Sequence, residues 1–332
     1  MQSARVASFP IQAPGLRAAF HLGDAWTLTC IVIGIDAIWL IAGGWSMAWR
    51  DVAVVASAVA AFMAPLAIGR YRRDLRIRST LRAAALLIAF QAAGATLSYL
   101  VISTGASLVD TQLAAWDRAI GFDWLALHAW LEVHPTVQTT LRFAYYSGLL
   151  QLVFVVLFLG LSERPAQLDE FMRLFITATL LVVLMSGPLP AAGAWKHYGL
   201  DKPFDLASLS HFELLRSGSM HEIPLGRMQG LISIPSLHAA MAVLITYAMR
   251  RTVAFAVVVV LNAAMLASTP VDGGHYLVDL LAGVALAIGL ILFERRASFA
   301  RGRRTFEAPC IDRRPHLGAS RAEHAQQLEP RL

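Results

Sequence analysis

Long apolar stretches, separated by short segments that carry charges, prolines or glycines, limit what this chain can fold into. Several of them approach the roughly 20 residues that a helix needs to cross the hydrocarbon core of a bilayer. Hydrophobic residues make up 57% of the 332 residues and charged residues only 15%, which leaves too little polar surface for a soluble globule of this length. We therefore predict an all-α fold, a polytopic membrane helix bundle.

The positions of these stretches predict about eight transmembrane helices. The predicted spans are residues 25–45, 52–68, 83–103, 143–161, 174–190, 231–249, 253–267 and 276–293, of which the seventh is short. The segments expected from them are an N-terminal arm (1–24), two helices with a basic loop (25–82), a group of six helices (83–294) and a basic, mobile tail (295–332). The first span is expected to remain as a signal anchor, because no cleavage site follows it.

Clusters of arginine predict the orientation of the spans. They are Arg70, Arg72, Arg73, Arg76, Arg78 and Arg82 after the second span, Arg250 and Arg251 after the sixth, and Arg295, Arg296, Arg301, Arg303 and Arg304 after the eighth. The positive-inside rule then places these segments and both termini in the cytoplasm, with the fourth-to-fifth link as a neutral exception. The links 105–142, 191–230 and 272–274 face outward. The net charge of +6 is accordingly a topology signal, and no nucleic-acid partner is expected.

The outer link 105–142 has an amphipathic pattern, in which Trp116 and Ile120 alternate with Asp110 and Asp117. We predict that it lies along the membrane interface. The aromatic residues of the outer segments are interpreted as interfacial anchors rather than substrate-stacking groups. They are Tyr145, Tyr146, Trp195 and Tyr198.

Two short motifs near the C-terminal end place histidines where hydrophobic helices are predicted to begin. Residues 233–239 read SIPSLHA and residues 268–279 read STPVDGGHYLVD. An ionisable group at the edge of a membrane span is a functional-site hypothesis by default. His275 and Asp279 are four residues apart, so on a helix they share a face and the carboxylate can hold one imidazole nitrogen. This arrangement is typical of a nucleophilic or general-base histidine.

These motifs resemble the type 2 phosphatidic acid phosphatase (PAP2) superfamily, whose second signature is P-S-x-H and whose third ends in H-x-x-x-D. Residues 235–238 match the second, and Ser268, His275 and Asp279 keep the spacing of the third. The small-residue step Ala282-Gly283 is also similar and would allow close helix packing. The resemblance covers the third to eighth spans, so it implies a six-helix catalytic core (83–294) with the first two spans as additions. It also implies a membrane enzyme that acts on lipid phosphates through a phosphohistidine at His275.

Several positions depart from the pattern of the superfamily's phosphatases and indicate which branch of the superfamily the chain resembles more. Thr269 stands where those phosphatases have arginine, Leu237 stands where they usually have glycine, and their K-x6-R-P motif has no counterpart beyond Lys196 and Lys202. A Pro/Ala/Gly-rich turn at 188–193 occupies the corresponding place. These features look more like the branch of inositol phosphorylceramide synthases, which transfer a phosphorylated head group between lipids.

Phosphoryl transfer needs an in-line nucleophile, an acid for the leaving oxygen, and cationic or N–H groups around the equatorial oxygens. His275 suits the nucleophile, Asp279 its orienting partner and His238 the acid. A helix that opens at Pro235 presents free N–H groups that can cradle a phosphate. The candidate phosphate-binding residues are Ser236, Leu237, Arg227, Lys196 and Lys202.

No metal or cofactor is expected. His197, His211 and His221 are interpreted as solvated loop residues, because no helical or turn spacing joins them. Cys30 and Cys310 are too separate to suggest a disulfide or a cysteine metal site.

The expected partners are the bilayer and a phospholipid, sphingolipid or polyprenyl-phosphate substrate, at the plasma membrane, which is the inner membrane in bacteria. Two alternatives stay open: a catalytically silent lipid-binding or assembly protein, favoured by the missing arginine, and a transporter. The transporter is the weakest, because charged residues are almost absent from mid-span positions. The head group, the acceptor and the oligomeric state also stay open.

Overall fold

A computed structural model describes residues 22–200 and 206–306, and within these ranges the protein is almost entirely helical. The fourteen α-helices of the described ranges are α1 (Leu22–Ala42), α2 (Trp49–Met63), α3 (Gly69–Arg73), α4 (Leu75–Ile102), α5 (Asp110–Ala119), α6 (Trp124–Glu132), α7 (Pro135–Tyr146), α8 (Gly148–Leu161), α9 (Pro165–Ser186), α10 (Ala194–His197), α11 (Leu206–Arg216), α12 (Leu237–Ala248), α13 (Phe255–Asp272) and α14 (Leu277–Phe306). Short 3-10 turns cover Ala64–Ala67 and Leu225–Arg227, and Ser46–Met47 (β1) pairs in parallel with Glu222–Ile223 (β2). The predicted all-α bundle is confirmed.

Five helices of the described ranges are long and apolar enough to cross a membrane. They are Asp24–Ala42, Trp49–Ala67, Leu75–Ile102, Phe255–Asp272 and Leu277–Ala297. The pair α7 and α8, bent by 45°, makes a sixth if it is taken as one span. Each of the predicted stretches coincides with a helix, but α9 carries Asp169, Glu170 and Arg173 in its N-terminal part and α12 has only 12 residues. The protein is therefore a membrane protein in which five helices, or six spans if the bent pair counts as one, meet the length and apolarity criteria for crossing a membrane.

Two of the differences between the predicted spans and the helix boundaries concern the histidine motifs. α12 begins at Leu237 instead of 231, because the Ser236 hydroxyl caps it by accepting a hydrogen bond from the Ala239 N–H at 3.3 Å. The short seventh span is longer than expected, since α13 continues through Pro270 to Asp272. Both shifts bring helix ends toward the two histidine motifs.

The centre of the bundle is formed by α4, α9 and α12. α4 packs against α1, α2, α8 and α9, and α12 packs against α8, α9, α13 and α14. The largest cluster of buried side chains includes Phe90, Leu152, Phe171, Phe175 and Ile245, each at most 1% exposed. No residue of α2 is buried, and α2 packs on the side of α4. α2 is thus peripheral, whereas α1 contributes Ala25 to the largest buried cluster, and the division of the chain into additions and core stays a prediction.

Ion pairs gather the segments that were predicted to share the cytoplasmic side. They are Arg76 with Glu163 at 2.5 Å, Arg250 with Glu170 at 2.5 Å, and Arg173 with Glu294 at 2.8 Å. The carboxylates of the neutral fourth-to-fifth link thus face arginines of the basic segments, so the exception to the charge rule has a local explanation. These contacts place the segments at one end of the bundle, while the side of the membrane stays a prediction.

The predicted interfacial link contains α5 and α6, and the amphipathic pattern has an unexpected inner face. Trp116 and Ile120 are more than half exposed, at 56% and 54%, whereas Asp110 and Asp117 are buried at 7% and 1%. Asp110 and Asp117 therefore lie inside the protein while Trp116 and Ile120 face outward, although Leu113 and Trp124 of the same link are also buried, at 1% each.

Several expectations fall outside the described residues: most of the N-terminal arm, Lys202, Cys310 and most of the tail. Cys30 lies exposed on α1 and has no disulfide partner within the described ranges.

Candidate active site

The second histidine motif forms the N-terminus of α12. Ser236 is fully buried, and its N–H donates to the backbone carbonyl of Asp279 at 3.0 Å. Leu237 and His238 are the first two residues of the helix. The first turn of a helix leaves N–H groups without intrahelical partners, and such an end attracts anions. The N–H groups of Ser236 and Ala239 already donate to Asp279 and to the Ser236 hydroxyl, so Leu237 lies where a phosphate group would meet an N–H donor, beside the Ser236 hydroxyl.

The third motif runs from the end of α13, through the loop 273–276, into the first turn of α14. His275 is 5% exposed and precedes α14, which begins at Leu277, so it reaches Asp279 from the loop and not along a helical face as predicted. Its Nδ1 lies 3.5 Å from Oδ2 of Asp279. The same Oδ2 accepts from the Ser233 hydroxyl at 2.6 Å and from the Tyr276 N–H at 3.1 Å. The latter contact is half of a capping box, which fixes the carboxylate at the helix start.

Two atoms of the His275–Asp279 pair are buried without a hydrogen bond among the described residues. They are Nδ1 of His275 and Oδ1 of Asp279. A buried polar group left unpaired costs free energy, and such exceptions need an explanation. Here the two groups stand at ion-pair distance, and their attraction increases when the imidazole ring gains a proton or a phosphoryl group.

The other ring nitrogen of His275 faces the second motif. Nε2 lies 3.5 Å from the Ser236 hydroxyl oxygen. The ring of His238 stands edge-on to that of His275, with centroids 6.5 Å apart and an interplanar angle of 64°. His275 is thus flanked by a carboxylate on one nitrogen and by a hydroxyl, a helix N-terminus and a second imidazole on the side of the other.

Contact between the two motifs extends to the backbone of α14. A side-chain carbon at Gly283 would overlap the carbonyl oxygen of Ser236 and come within 3.1 Å of the Ala239 side chain. The expected small-residue step is confirmed at this position, since only hydrogen fits between the helices. α12 and α14 therefore hold the two histidines in a fixed relation.

Tyr145 belongs to the site and is not only an interfacial anchor, as the sequence had suggested. Its ring stacks on His238 with centroids 4.4 Å apart and an angle of 24°, and its hydroxyl lies 3.4 Å from Nδ1 of His238. Trp195 also departs from that interpretation, because it is 6% exposed and its indole N–H donates to the Val271 carbonyl at 2.6 Å. Tyr146 is 55% exposed, as an anchor would be.

Arg142 is a cationic residue near the site that the sequence reasoning missed. It lies on α7, one turn before Tyr145, and its Nε donates to Oδ1 of Asp272 at 3.1 Å. Asp272 is the last residue of α13, three positions before His275. The partners are 130 residues apart in sequence. The only local signal was that Arg142 and Tyr145 share a helix face.

The predicted phosphate-binding cations lie elsewhere. Lys196 forms an ion pair with Glu213. Arg227 follows Gly226, whose N–H donates to Asp51 at 3.0 Å at the start of α2. Lys202 is outside the described residues. Among the described contacts, neither Lys196 nor Arg227 reaches a histidine of the motifs.

The three histidines that were predicted to lie in solvated loops are dispersed, and two of them belong to helices: His197 ends α10 and His211 lies on α11. Nδ1 of His211 lies 2.9 Å from the Tyr99 hydroxyl, His221 lies against the Trp45 ring at 5.3 Å, and His197 lies edge-on to Tyr198 at 4.9 Å. Within the described part of the chain, no group of three or more His, Cys, Asp or Glu side chains is arranged to hold a metal ion.

The chain matches a known protein family. A family model described as the PAP2 superfamily matches residues 111–293, which is more than half of the chain. The match begins after the third predicted span and contains both histidine motifs. Searches of curated proteins and of solved structures each returned no match. Members of this superfamily are generally phosphatases or phosphotransferases that act on lipid phosphates. The protein belongs to the PAP2 superfamily.

Proposed function

We propose that this protein is a membrane-embedded lipid-phosphate phosphotransferase or phosphatase that works through a phosphohistidine at His275. The observation that carries the proposal is the arrangement around that ring. Nδ1 stands 3.5 Å from the Asp279 carboxylate, Nε2 stands 3.5 Å from the Ser236 hydroxyl, and the His238 ring lies 6.5 Å away. A phosphoryl group between the two rings would have a nucleophile on one side and a proton donor on the other.

The chemistry follows in two steps. Nε2 of His275 attacks phosphorus, and as the nitrogen–phosphorus bond forms, the bond to the leaving oxygen breaks and His238 gives that oxygen a proton. Water or a lipid alcohol then attacks the phosphohistidine, His238 removes its proton, and the nitrogen–phosphorus bond breaks. The Asp279 carboxylate offsets the positive charge on the His275 ring between the steps.

Charge on the equatorial oxygens needs donors in this geometry. Ser236 and the N-terminus of α12 supply a hydroxyl and N–H groups. Thr269, which replaces the phosphatase arginine, does not supply such a donor. Its hydroxyl donates to the backbone carbonyl of Met265, one turn earlier in the same helix, at 2.6 Å. We assign the missing guanidinium to Arg142, whose helix also brings Tyr145 against His238.

The finer assignment is transfer between lipids at the extracytoplasmic leaflet, as in the inositol phosphorylceramide synthases. The turn 188–193 supports it, because the Ala194 N–H that follows the turn donates to the Gly274 carbonyl at 2.8 Å, beside His275. The arginine clusters support the outward orientation of the site. A catalytically silent lipid-binding role is the second candidate, favoured by the absence of arginine at position 269.

The deciding experiment offers the full chain, purified in lipid, a panel of labelled phospholipids. Each is tested with and without ceramide, diacylglycerol or polyprenol as acceptor, with His275→Ala as the matched control. Label on the acceptor establishes transfer, and label in free phosphate or phosphorylated head group without an acceptor establishes hydrolysis. Wild-type protein that binds the lipids but turns over none of them would contradict the enzymatic proposal and favour the silent one.

A further inference from the structure

The outer helix α5 carries two buried carboxylates that the proposed chemistry does not use. Asp110 and Asp117 are seven residues apart, so two helical turns bring them to the same face. Burying a carboxylate costs free energy unless hydrogen bonds compensate for the lost water. Their partners therefore indicate what the burial achieves.

Asp117 caps the helix that carries Asp279. Its Oδ2 accepts from the Leu277 N–H and its Oδ1 from the Val278 N–H, both at 2.9 Å. These are the first two N–H groups of α14, which have no partner within their own helix. Burial raises the pKa of the Asp117 carboxyl, and the two N–H groups oppose that rise. The start of α14 cannot shift without breaking both bonds.

Asp110 holds the residue next to the nucleophile. Its Oδ1 accepts from the Tyr276 hydroxyl and from the Gly193 N–H, and its Oδ2 accepts from the Ala192 N–H, each at 2.9 Å. Tyr276 is fully buried and follows His275 directly. One carboxylate thus joins α5, the turn 188–193 and the histidine loop.

We propose that Asp110 and Asp117 are positioning residues that clamp residues 276–278 and thereby fix where His275, the preceding residue, presents Nε2. This inference rests on the proposed function, in which Nε2 is the attacking atom. Positioning matters because a misplacement of about 1 Å can lower a rate by roughly 100-fold. The clamp spans 160 residues of sequence, from α5 to the start of α14.

Asp117→Asn is the first test, with Asp123→Asn as its control. The asparagine amide keeps one acceptor oxygen, but its NH₂ group faces the N–H of Leu277 or Val278. One of the two capping hydrogen bonds is therefore lost. Asp123 is a capping aspartate of the same outer link, but it is exposed and its carboxylate accepts from the Ala126 N–H of its own helix, α6. Both variants are made in the full chain and reconstituted in nanodiscs.

Two readouts separate the clamp from general stability. Hydrogen exchange at residues 277 and 278 should rise about fivefold in Asp117→Asn, as expected for a lost cap, and should not change in Asp123→Asn. Turnover with the lipid substrate should fall about 10- to 100-fold in kcat with KM nearly unchanged. Tyr276→Phe, which removes only the hydroxyl bond to Asp110, should lower kcat in the same manner and serves if Asp117→Asn does not fold.

Unchanged exchange at 277 and 278 would overturn the clamp. Faster exchange with an unchanged kcat in both Asp117→Asn and Tyr276→Phe would overturn its role in positioning His275. If wild-type protein turned over no lipid phosphate, the proposed function would fail, and the clamp would then be judged by a second structural readout. Faster modification of His275 by diethyl pyrocarbonate in Asp117→Asn, but not in Asp123→Asn, would support it, and equal rates would overturn it.

Discussion

His275 illustrates how a single side chain can be held from several directions. Its backbone follows a tight loop at Gly273 and Gly274, where φ of Gly274 is +72°, and its ring lies between Asp279 and Ser236. A side-chain carbon at Gly273 would lie 2.7 Å from the His275 ring. The loop therefore needs glycine for space at one position and for conformation at the next.

At the residue scale, the first prediction concerns the two histidines and their carboxylate. His275→Ala should abolish turnover. His238→Ala should lower the rate by about 10²- to 10⁴-fold with natural substrates and much less with a good leaving group, because only the former need an acid. Asp279→Asn should cost roughly 100-fold by misorienting His275 while the protein remains folded. The measurement is steady-state turnover of paired substrates, and full activity of His275→Ala would exclude the mechanism.

A second prediction tests the assignment of Arg142. Arg142→Ala should weaken inhibition by vanadate about 10- to 100-fold, which is the usual effect of losing a charge-assisted hydrogen bond, and lysine should restore only part of it. Asp272→Asn removes the partner of the ion pair but keeps the guanidinium, so it should retain vanadate inhibition. If Arg142→Ala and Asp272→Asn weakened vanadate inhibition equally and lowered Tm equally, the two residues would form only a structural ion pair, and the assignment of Arg142 would be wrong.

The third prediction is independence from metal ions. The buried carboxylates around the site already accept hydrogen bonds. Asp110 accepts from the Tyr276 hydroxyl, Asp117 accepts from the N–H groups that begin α14, and Asp279 accepts from Ser233 and Tyr276. Activity should survive EDTA and should fall with vanadate, which mimics five-coordinate phosphorus. Loss of activity with EDTA and its recovery with Mg²⁺ or Zn²⁺ would contradict this site, and His197, His211 and His221 would be the next residues to test.

Short-range spacing explains which site residues the sequence could predict. His275 with Asp279, and Ser236 with His238, lie within four residues of each other, and the structure brings all four together. Arg142, Tyr145, Asp110 and Asp117 could not be placed in the same way. Their partners lie 82 to 166 residues away, and a single sequence carries no measure of which distant helices pack together.

At the element scale, the pairing of α12 with α14 decides the geometry of the site. The Ser236 N–H bonds the Asp279 carbonyl, and the Ser236 carbonyl lies against Gly283. The sequence predicted both helices but placed the start of α12 six residues early, because its apolar count ignored the break that Pro235 and Ser236 introduce. Apolarity predicts a span, while capping chemistry decides where its helix begins.

Gly283→Ala tests this pairing. The added methyl group has to displace the Ser236 carbonyl or the helix, so we expect a loss of about 1–3 kcal/mol of stability and a marked loss of activity. Gly289 lies on the same helix with nothing within 4 Å of an added carbon, and Gly289→Ala should be neutral or slightly stabilising. Thermal unfolding in detergent measures both. Equal Tm values for the two variants would contradict the tight contact.

At the scale of the whole molecule, the ion pairs of the arginine-rich segments lie at one end of the bundle and the histidine motifs lie at the other. Ion pairs such as Arg173 with Glu294 join the basic segments, and α5 covers the opposite end beside His275. The arginine pattern predicted which segments share a side. The same pattern could not predict how α9 and α12 insert into the membrane. α9 carries too many charged residues, and α12 is too short, to meet the length and apolarity criteria.

Orientation is the prediction at this scale. A reporter that is active only in the cytoplasm should be active when fused after Arg304. One that is active only outside should work when inserted at 217–219, between α11 and β2. Reporter activities in intact cells, compared with an in-frame insertion at Arg251, provide the measurement and its cytoplasmic control. An external signal after Arg304 would invert the topology and move the site to the other leaflet.

The backbone contact between α12 and α14 also limits how this site could be transplanted. Ordinary helix pairs keep their axes about 8–10 Å apart, a distance set by side chains. Here a glycine lets one helix rest on the carbonyl of the other's first turn. Copying only His238, His275 and Asp279 onto a generic helical scaffold would therefore separate the rings. The smallest unit that would keep the geometry is the closely packed pair of α12 and α14 with the capping Ser236, and a designer would have to graft that pair as a whole.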